Sequence, residues 1–140
     1  MIAIRAHLTL LAVVLGLAAC QDDAFDPPDQ AQLNVTFTPD TVSAPQGGTT
    51  PEIEMVVESD QVFGDGKLFL SPLAPEGVTA EFDPAAAEPN ATTRGHVVLS
   101  VASAVAVGRY EVPVRISFGN VSLTKPITLD VTAPTAARRP

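Results

Sequence analysis

From residue 31 onward, apolar and polar side chains alternate with a period of two, in short runs separated by Pro, Gly and Asp. Leu33, Val35 and Phe37 alternate with Asn34, Thr36 and Thr38 until Pro39-Asp40 stops the run. Ile53, Met55 and Val57 are interleaved with Glu52, Glu54, Val56 and Glu58, which gives one wet face. Lys67 to Leu70 is a short apolar run entered through Gly64-Asp65-Gly66 and closed by Ser71-Pro72. Val78, Ala80 and Phe82 alternate up to Asp83-Pro84; Val97, Leu99 and Val101 form a further set. Then come Tyr110, Val112, Val114, Ile116 and Phe118, followed by Val121 and Leu123, and after Pro126 by Ile127, Leu129 and Val131. Alternation of this kind is the signature of half-buried strands, with turn residues marking where each ends.

The pattern predicts seven or eight strands over residues 31–133 and an all-β, antiparallel sandwich, since such a domain takes about 100 residues. Thirteen Pro, placed mainly at run ends, argue against a helical reading, because Pro inside a helix removes a hydrogen bond and clashes with the preceding turn. Ala85 to Ala87 and Ala102 to Val107 are Ala-rich but flanked by breakers. Pro113 and Pro126 fall inside strand runs, where Pro removes a ladder donor. They are expected at an edge, at a bulge or with the imide nitrogen facing outward, and the last strand is expected to break at Lys125-Pro126.

The start of the chain follows another pattern. Leu8 to Ala19 is uncharged and apolar on every side, preceded by Arg5 and followed by Gln21-Asp22-Asp23. A spanning helix needs roughly 20 apolar residues; a positive lead, a short apolar core and a small-residue end describe a secretory signal over residues 1–19. Leu17-Ala18-Ala19-Cys20 resembles the lipobox of bacterial lipoproteins, in which the Cys is acylated and becomes the first residue of the mature chain. Cys20 is the only Cys, so it has no internal disulfide partner. The resemblance implies lipid attachment at Cys20 and a membrane contact through acyl chains; two or more chains anchor stably where one does not. Gln21, in place of the Asp that resembles an inner-membrane retention signal, tilts the expected location to the outer membrane of a bacterial envelope. Residues 20–30 then form an acidic tether, with four Asp and Pro27-Pro28, a semi-rigid and self-repelling composition. Residues 134–140 hold nothing to pack and are expected as a disordered tail.

Two further stretches carry a second resemblance. Pro75-Glu76-Gly77-Val78-Thr79-Ala80-Glu81-Phe82-Asp83-Pro84, and later Val107-Gly108-Arg109-Tyr110-Glu111-Val112-Pro113-Val114, resemble the bacterial immunoglobulin-like modules of exported and cell-surface proteins. Gly108 and Tyr110 look like a tyrosine corner, with Val112 where antibody domains place their second Cys. The chain departs from antibody domains in lacking the disulfide and the core Trp. The resemblance implies the fold; such modules serve as spacers, adhesins and accessory domains, so it implies no single activity.

Composition narrows the chemistry. A net charge of −8 and a pI near 4.5 leave no electrostatic footprint for nucleic acid. After the leader the single His is His96, beside no recognisable nucleophile, so no catalytic residues are assigned. Zinc needs three or four N or S ligands, which one His and one acylated Cys do not supply; no cofactor or metal is expected. Asp60, Asp65 and Asp83 are loop acids without calcium-loop spacing. Glu52, Glu54 and Glu58 read as a solvated face. Asn34, Asn90 and Asn120 head glycosylation patterns that a bacterial lipobox deprives of meaning. Phe37, Phe82, Tyr110 and Phe118 are expected in the core. Phe63, in the loop Ser59 to Gly66, is the candidate partner-binding residue, because loops at the ends of sandwiches are where such domains bind. The expected function is a non-enzymatic, lipid-anchored envelope protein presenting its domain to a protein or glycan; the alternative is a periplasmic structural subunit of an envelope assembly.

Overall fold

A computed structural model describes residues 30–119, 121–134 and 136. Residues 1–29, which hold the expected leader, Cys20 and most of the expected tether, and also Asn120, Thr135 and residues 137–140, lie outside the described residues. Among the described residues nine strands form two sheets: β1 (Gln32–Thr38), β2 (Thr41–Pro45), β3 (Ile53–Asp60), β4 (Gly66–Leu70), β5 (Val78–Asp83), β6 (Ala86–Ala87), β7 (Thr92–Val101), β8 (Gly108–Phe118) and β9 (Val121–Thr132). The four-stranded sheet has the order β1-β3-β7-β5 and the five-stranded sheet β2-β9-β8-β4-β6. In immunoglobulin lettering these are A-B-E-D and A′-G-F-C with one extra two-residue strand, so the fold is an immunoglobulin-like β-sandwich.

The core is what the alternation produces when both sheets turn their apolar face inward. Val35, Ile53, Met55, Val57, Val97 and Leu99 of one sheet are fully covered, as are Val112, Val114, Ile127 and Leu129 of the other. Phe37 and Phe118 are buried, while Phe82 and Tyr110 are partly buried against the same cluster. Among the described residues no buried side-chain polar atom lacks a hydrogen-bond partner, as a sandwich of this kind requires. The tyrosine corner is formed: Tyr110 Oη donates to the carbonyl of Ala106 at 2.8 Å, tying the top of β8 to the loop before it. Tyr110→Phe is expected to lower stability by about 1 kcal/mol, the net worth of one such bond, seen as a lower urea midpoint with an unchanged slope.

Three features depart from the sequence reading. The chain after Pro39-Asp40 forms a separate strand, β2, which pairs parallel with β9 while every other pair is antiparallel. Its five residues hold only Val42 and Ala44 in the core, too short a period to register. The two-residue β6 pairs with the start of β4. The third departure corrects the expected break at Lys125-Pro126: β9 runs unbroken through both. Pro126 lies directly opposite Pro113. The Pro113 carbonyl accepts from the Ser71 amide at 2.9 Å, on the side away from β9. The amide and carbonyl of one strand residue point the same way, so the Pro113 nitrogen also faces away, where β4 has already ended. Pro126 faces the opposite side, short of where β2 begins to pair at Thr128. Neither imide interrupts a ladder bond, which is the outward placement Pro tolerates.

Lys125 occupies an inward position on β9, and its Nζ donates to the Val35 carbonyl on β1 at 2.6 Å. An inward-pointing Lys is one device by which natural sheets block an edge. The other edges are guarded by brevity and proline: β2 follows Pro39 and ends on Pro45, and β5 and β6 flank Pro84.

Candidate functional site

The register fixes which loops share an end. β1 begins at Gln32 opposite Asp60, the end of β3, and β7 begins beside Glu58. The β3–β4 loop, the turn before β7 and the β8–β9 turn therefore lie at the end where the described chain begins. The loops after β2, β4 and β7 lie at the other, where β9 finishes. Phe63 is thus at the chain-entry end, 71% exposed.

Phe63 is held in place by its neighbours. Val62, 1% exposed, plugs the loop into the core. The Val62 amide donates to Asn90 Oδ1 at 3.1 Å, and Asn90 Nδ2 donates to the Val62 carbonyl at 3.2 Å. On the other side the Gly119 amide donates to the Phe63 carbonyl at 3.1 Å. Gln61 (φ 55°) and Gly64 (φ 78°) turn the backbone on either side of the pair, and Asp60 Oδ1 accepts from the Gln61 amide at 3.0 Å. Three hydrogen bonds from two neighbouring loops fix the main chain while the ring stays in solvent, so a contact through it costs little ordering. Asn90, 28 residues from Val62 and visible in the sequence only as part of a glycosylation pattern, is the residue that sequence reasoning missed. Its φ of 54° is a conformation Asn accepts more readily than most residues.

Beside this loop an open groove of about 700 Å³ runs along the base of β1, lined by Ala31, Asn34, Glu58, Ser59, Asp60 and Thr92 among others. With Asp65 and Glu88 in the adjoining loops, the end is acidic. Asp60 and Asp65 sit here and Asp83 elsewhere, opposite His96 in the register of β5 and β7. Among the described residues no group of three or more His, Cys, Asp or Glu is placed to hold a metal ion.

His96 is exposed on the outer face of the first sheet, on a rung that reads Thr38, Glu54, His96, Asp83 across β1, β3, β7 and β5. The one hydroxyl of that rung is two strands away, about 10 Å at the usual strand spacing, beyond reach of the imidazole. The same face carries Glu58, Asp60 and Glu81 against the cation Arg94, whose pair with Glu54 at 3.5 Å is exposed on both sides. The outer face of the second sheet carries Lys67, Arg109 and Arg115 with Glu111 and Asp130. There Arg109 grips Asp130 with two hydrogen bonds of 2.7 and 3.0 Å. The bond from Arg109 holds the Asp130 carboxyl below its ordinary value of 3.8. A lowered carboxyl favours the fold above its unfolded pKa and loses that support as pH falls through the folded value. The Arg109→Ala variant should therefore melt below the parent at pH 6 and approach it as pH falls below the ordinary carboxyl value of 3.8, the gap shrinking with salt because the pair is at the surface.

At the far end Leu73 and Val107 are 86% and 58% exposed. Their loops are braced as well: the Leu73 amide donates to Ser71 Oγ at 3.3 Å and the Ala102 amide to the Gly77 carbonyl at 2.8 Å. Phe69, 39% exposed, stands on the outer face of β4. No helix among the described residues is long and apolar enough to cross a membrane.

No protein-family profile matches the chain, and no curated protein does. The chain is similar to several solved structures. A family 123 glycoside hydrolase from Clostridium perfringens is 9% identical, with a TM-score of 0.51 over 75% of this chain and 27% of that one. Domains 4 and 5 of the S-layer protein SbsC are 13% identical, with a TM-score of 0.45 over 74% of this chain; the chain spans about half, 48%, of that structure. The periplasmic chaperone SfaE is 12% identical, with a TM-score of 0.47 over 76% of this chain and 60% of that one.

Proposed function

We propose that this is a non-enzymatic envelope protein, anchored by lipid on Cys20, that holds its immunoglobulin-like sandwich out for contact with a protein or glycan. The observation that carries the reading is the placement of the ends. The chain enters beside Ala31 at one end, and the opposite end carries Leu73 and Val107 exposed on braced loops. A chain fixed upstream of Ala31 presents that far end outward. The lipobox-like Leu17-Ala18-Ala19-Cys20 supplies the fixing point, and the acidic segment after it joins that point to the sandwich at Ala31. Guarded sheet edges weigh against the alternative in which an assembly partner adds a strand to this domain, the mode that needs an open edge.

The test is fractionation of cells expressing the parent and Cys20→Ala, with protease added to intact and to lysed cells. The parent is expected with the membranes and the variant in the soluble fraction. Cleavage of the parent on intact cells would place the contact outside the cell, and protection until lysis would place it in the periplasm. A Cys20→Ala protein that stays with the membranes would overturn the anchor.

A further inference from the structure

We infer that the Phe63 tip rests on the surface of a zwitterionic lipid layer when the chain is held at Cys20; the inference rests on the anchor reading above. Cys20 and Ala31 are eleven residues apart, which bounds the separation at about 40 Å for a fully extended chain. Chain entry and Phe63 share one end of the sandwich, so this end and not the one bearing Leu73 is confined next to the anchoring surface. Confinement on such a short linker keeps the tip at high effective concentration near the lipid. Phe63 suits that place: its ring is 71% exposed, and its main chain is already fixed through Val62, Asn90 and Gly119. An aromatic ring on a fixed loop can enter the headgroup boundary without ordering the loop, and it adds a second, weak membrane contact to the covalent one. A protein partner at the same site would have to enter the narrow space between the sandwich and the bilayer.

Charge selects the kind of surface. Glu58, Asp60, Asp65 and Glu88 lie on the strand ends and loops of this end, and no Lys or Arg among the described residues lies in its loops. An anionic leaflet attracts basic segments and by the same field repels these carboxylates, whereas a zwitterionic one leaves the apolar contact unopposed.

The chain has no Trp, so Phe63→Trp makes a single reporter at the tip and Leu73→Trp a matched reporter at the far end. Each full protein, purified from cell membranes, is reconstituted into phosphatidylcholine vesicles with and without brominated acyl chains. The expected result is blue-shifted emission and several-fold stronger bromine quenching for Phe63→Trp than for Leu73→Trp. Replacing a third of the lipid by phosphatidylglycerol should remove most of that quenching at low salt, and added salt should restore it. Equal quenching at the two positions, or none at either, overturns the inference. So does a Phe63→Trp shift in native membranes that is missing in pure lipid vesicles, which would assign the contact to a protein or glycan. If the purified protein fails to float with vesicles, the anchor reading fails. Coupling its only thiol, Cys20, to a maleimide-headgroup lipid then decides the tip contact by the same two reporters.

Discussion

Gly95→Ala is expected to cost about 3 kcal/mol of folding stability, the upper end for overpacking, and to lower the melting temperature by roughly 12–24 °C for a domain of this size. Gly95 occupies an inward-phase position on β7, where a side chain would point between the sheets. That space is taken. β5 ends at Asp83 in the first sheet, and the chain then passes to β6 in the second, crossing directly over Gly95. A Cβ there would lie 2.2 Å from the Asp83 carbonyl oxygen and 2.6 Å from Pro84 Cδ. Both obstacles are main chain or proline ring, which cannot rotate aside as a flexible side chain would. The crossover carries its own contacts: the Leu68 amide donates to the Ala85 carbonyl at 3.3 Å, and Ser59 Oγ to the Glu88 carbonyl at 3.0 Å. Pushing it off Gly95 strains all of these together. Thermal and urea unfolding of Gly95→Ala against the parent checks the estimate. A loss below about 1 kcal/mol, within the range of ordinary surface changes and mild core adjustments, would mean that the crossing does not depend on the close approach.

Much of this architecture was legible in the sequence because it rests on local periodicity. The inward sets on β1, β3, β5, β7, β8 and β9 are the residues that alternate, and Gly108-Arg109-Tyr110 announced the corner that the Tyr110–Ala106 bond completes. What was not legible depends on who sits beside whom. Lys125-Pro126 looks like a break when read along the chain. Across the sheets Lys125 has Val35 to cap, and Pro126 has Pro113 opposite it with the two nitrogens turned away from each other. Gly95 gave no sign of its role, since the crossing that needs it is made by residues 83 and 84. Phe63 could be identified as an apolar residue in a polar loop. Which end of the sandwich it occupies follows only from strand order, which puts it beside the chain entry.

Asn90→Ala should separate the fold from the presentation of Phe63. The side chain makes two hydrogen bonds to the main chain of Val62, one as acceptor and one as donor. Losing them leaves the amide and carbonyl of a 1% exposed residue without those partners, and Ala takes a φ near 54° less readily than Asn. The expected cost is about 2–3 kcal/mol. It is concentrated in the loop, because Asn90 is itself exposed and its removal opens no cavity between the sheets. The measurement is limited chymotrypsin digestion with mapping of the cut after Phe63, alongside amide exchange at Val62 and Phe63. Both should accelerate well beyond what the drop in global stability produces, since local opening exposes these sites without unfolding the sheets. Asn90→Asp should recover part of the effect, because a carboxylate still accepts from the Val62 amide but cannot donate to its carbonyl. Asn90→Gly should recover only the backbone share, because it accepts the positive φ and makes neither bond. If all three variants digest like the parent, the Gly119 bond to the Phe63 carbonyl and the burial of Val62 suffice to hold the tip. Ordered digestion, with Ala fastest, Gly next and Asp nearest the parent, would show that one amide side chain from a neighbouring loop keeps the aromatic ring poised.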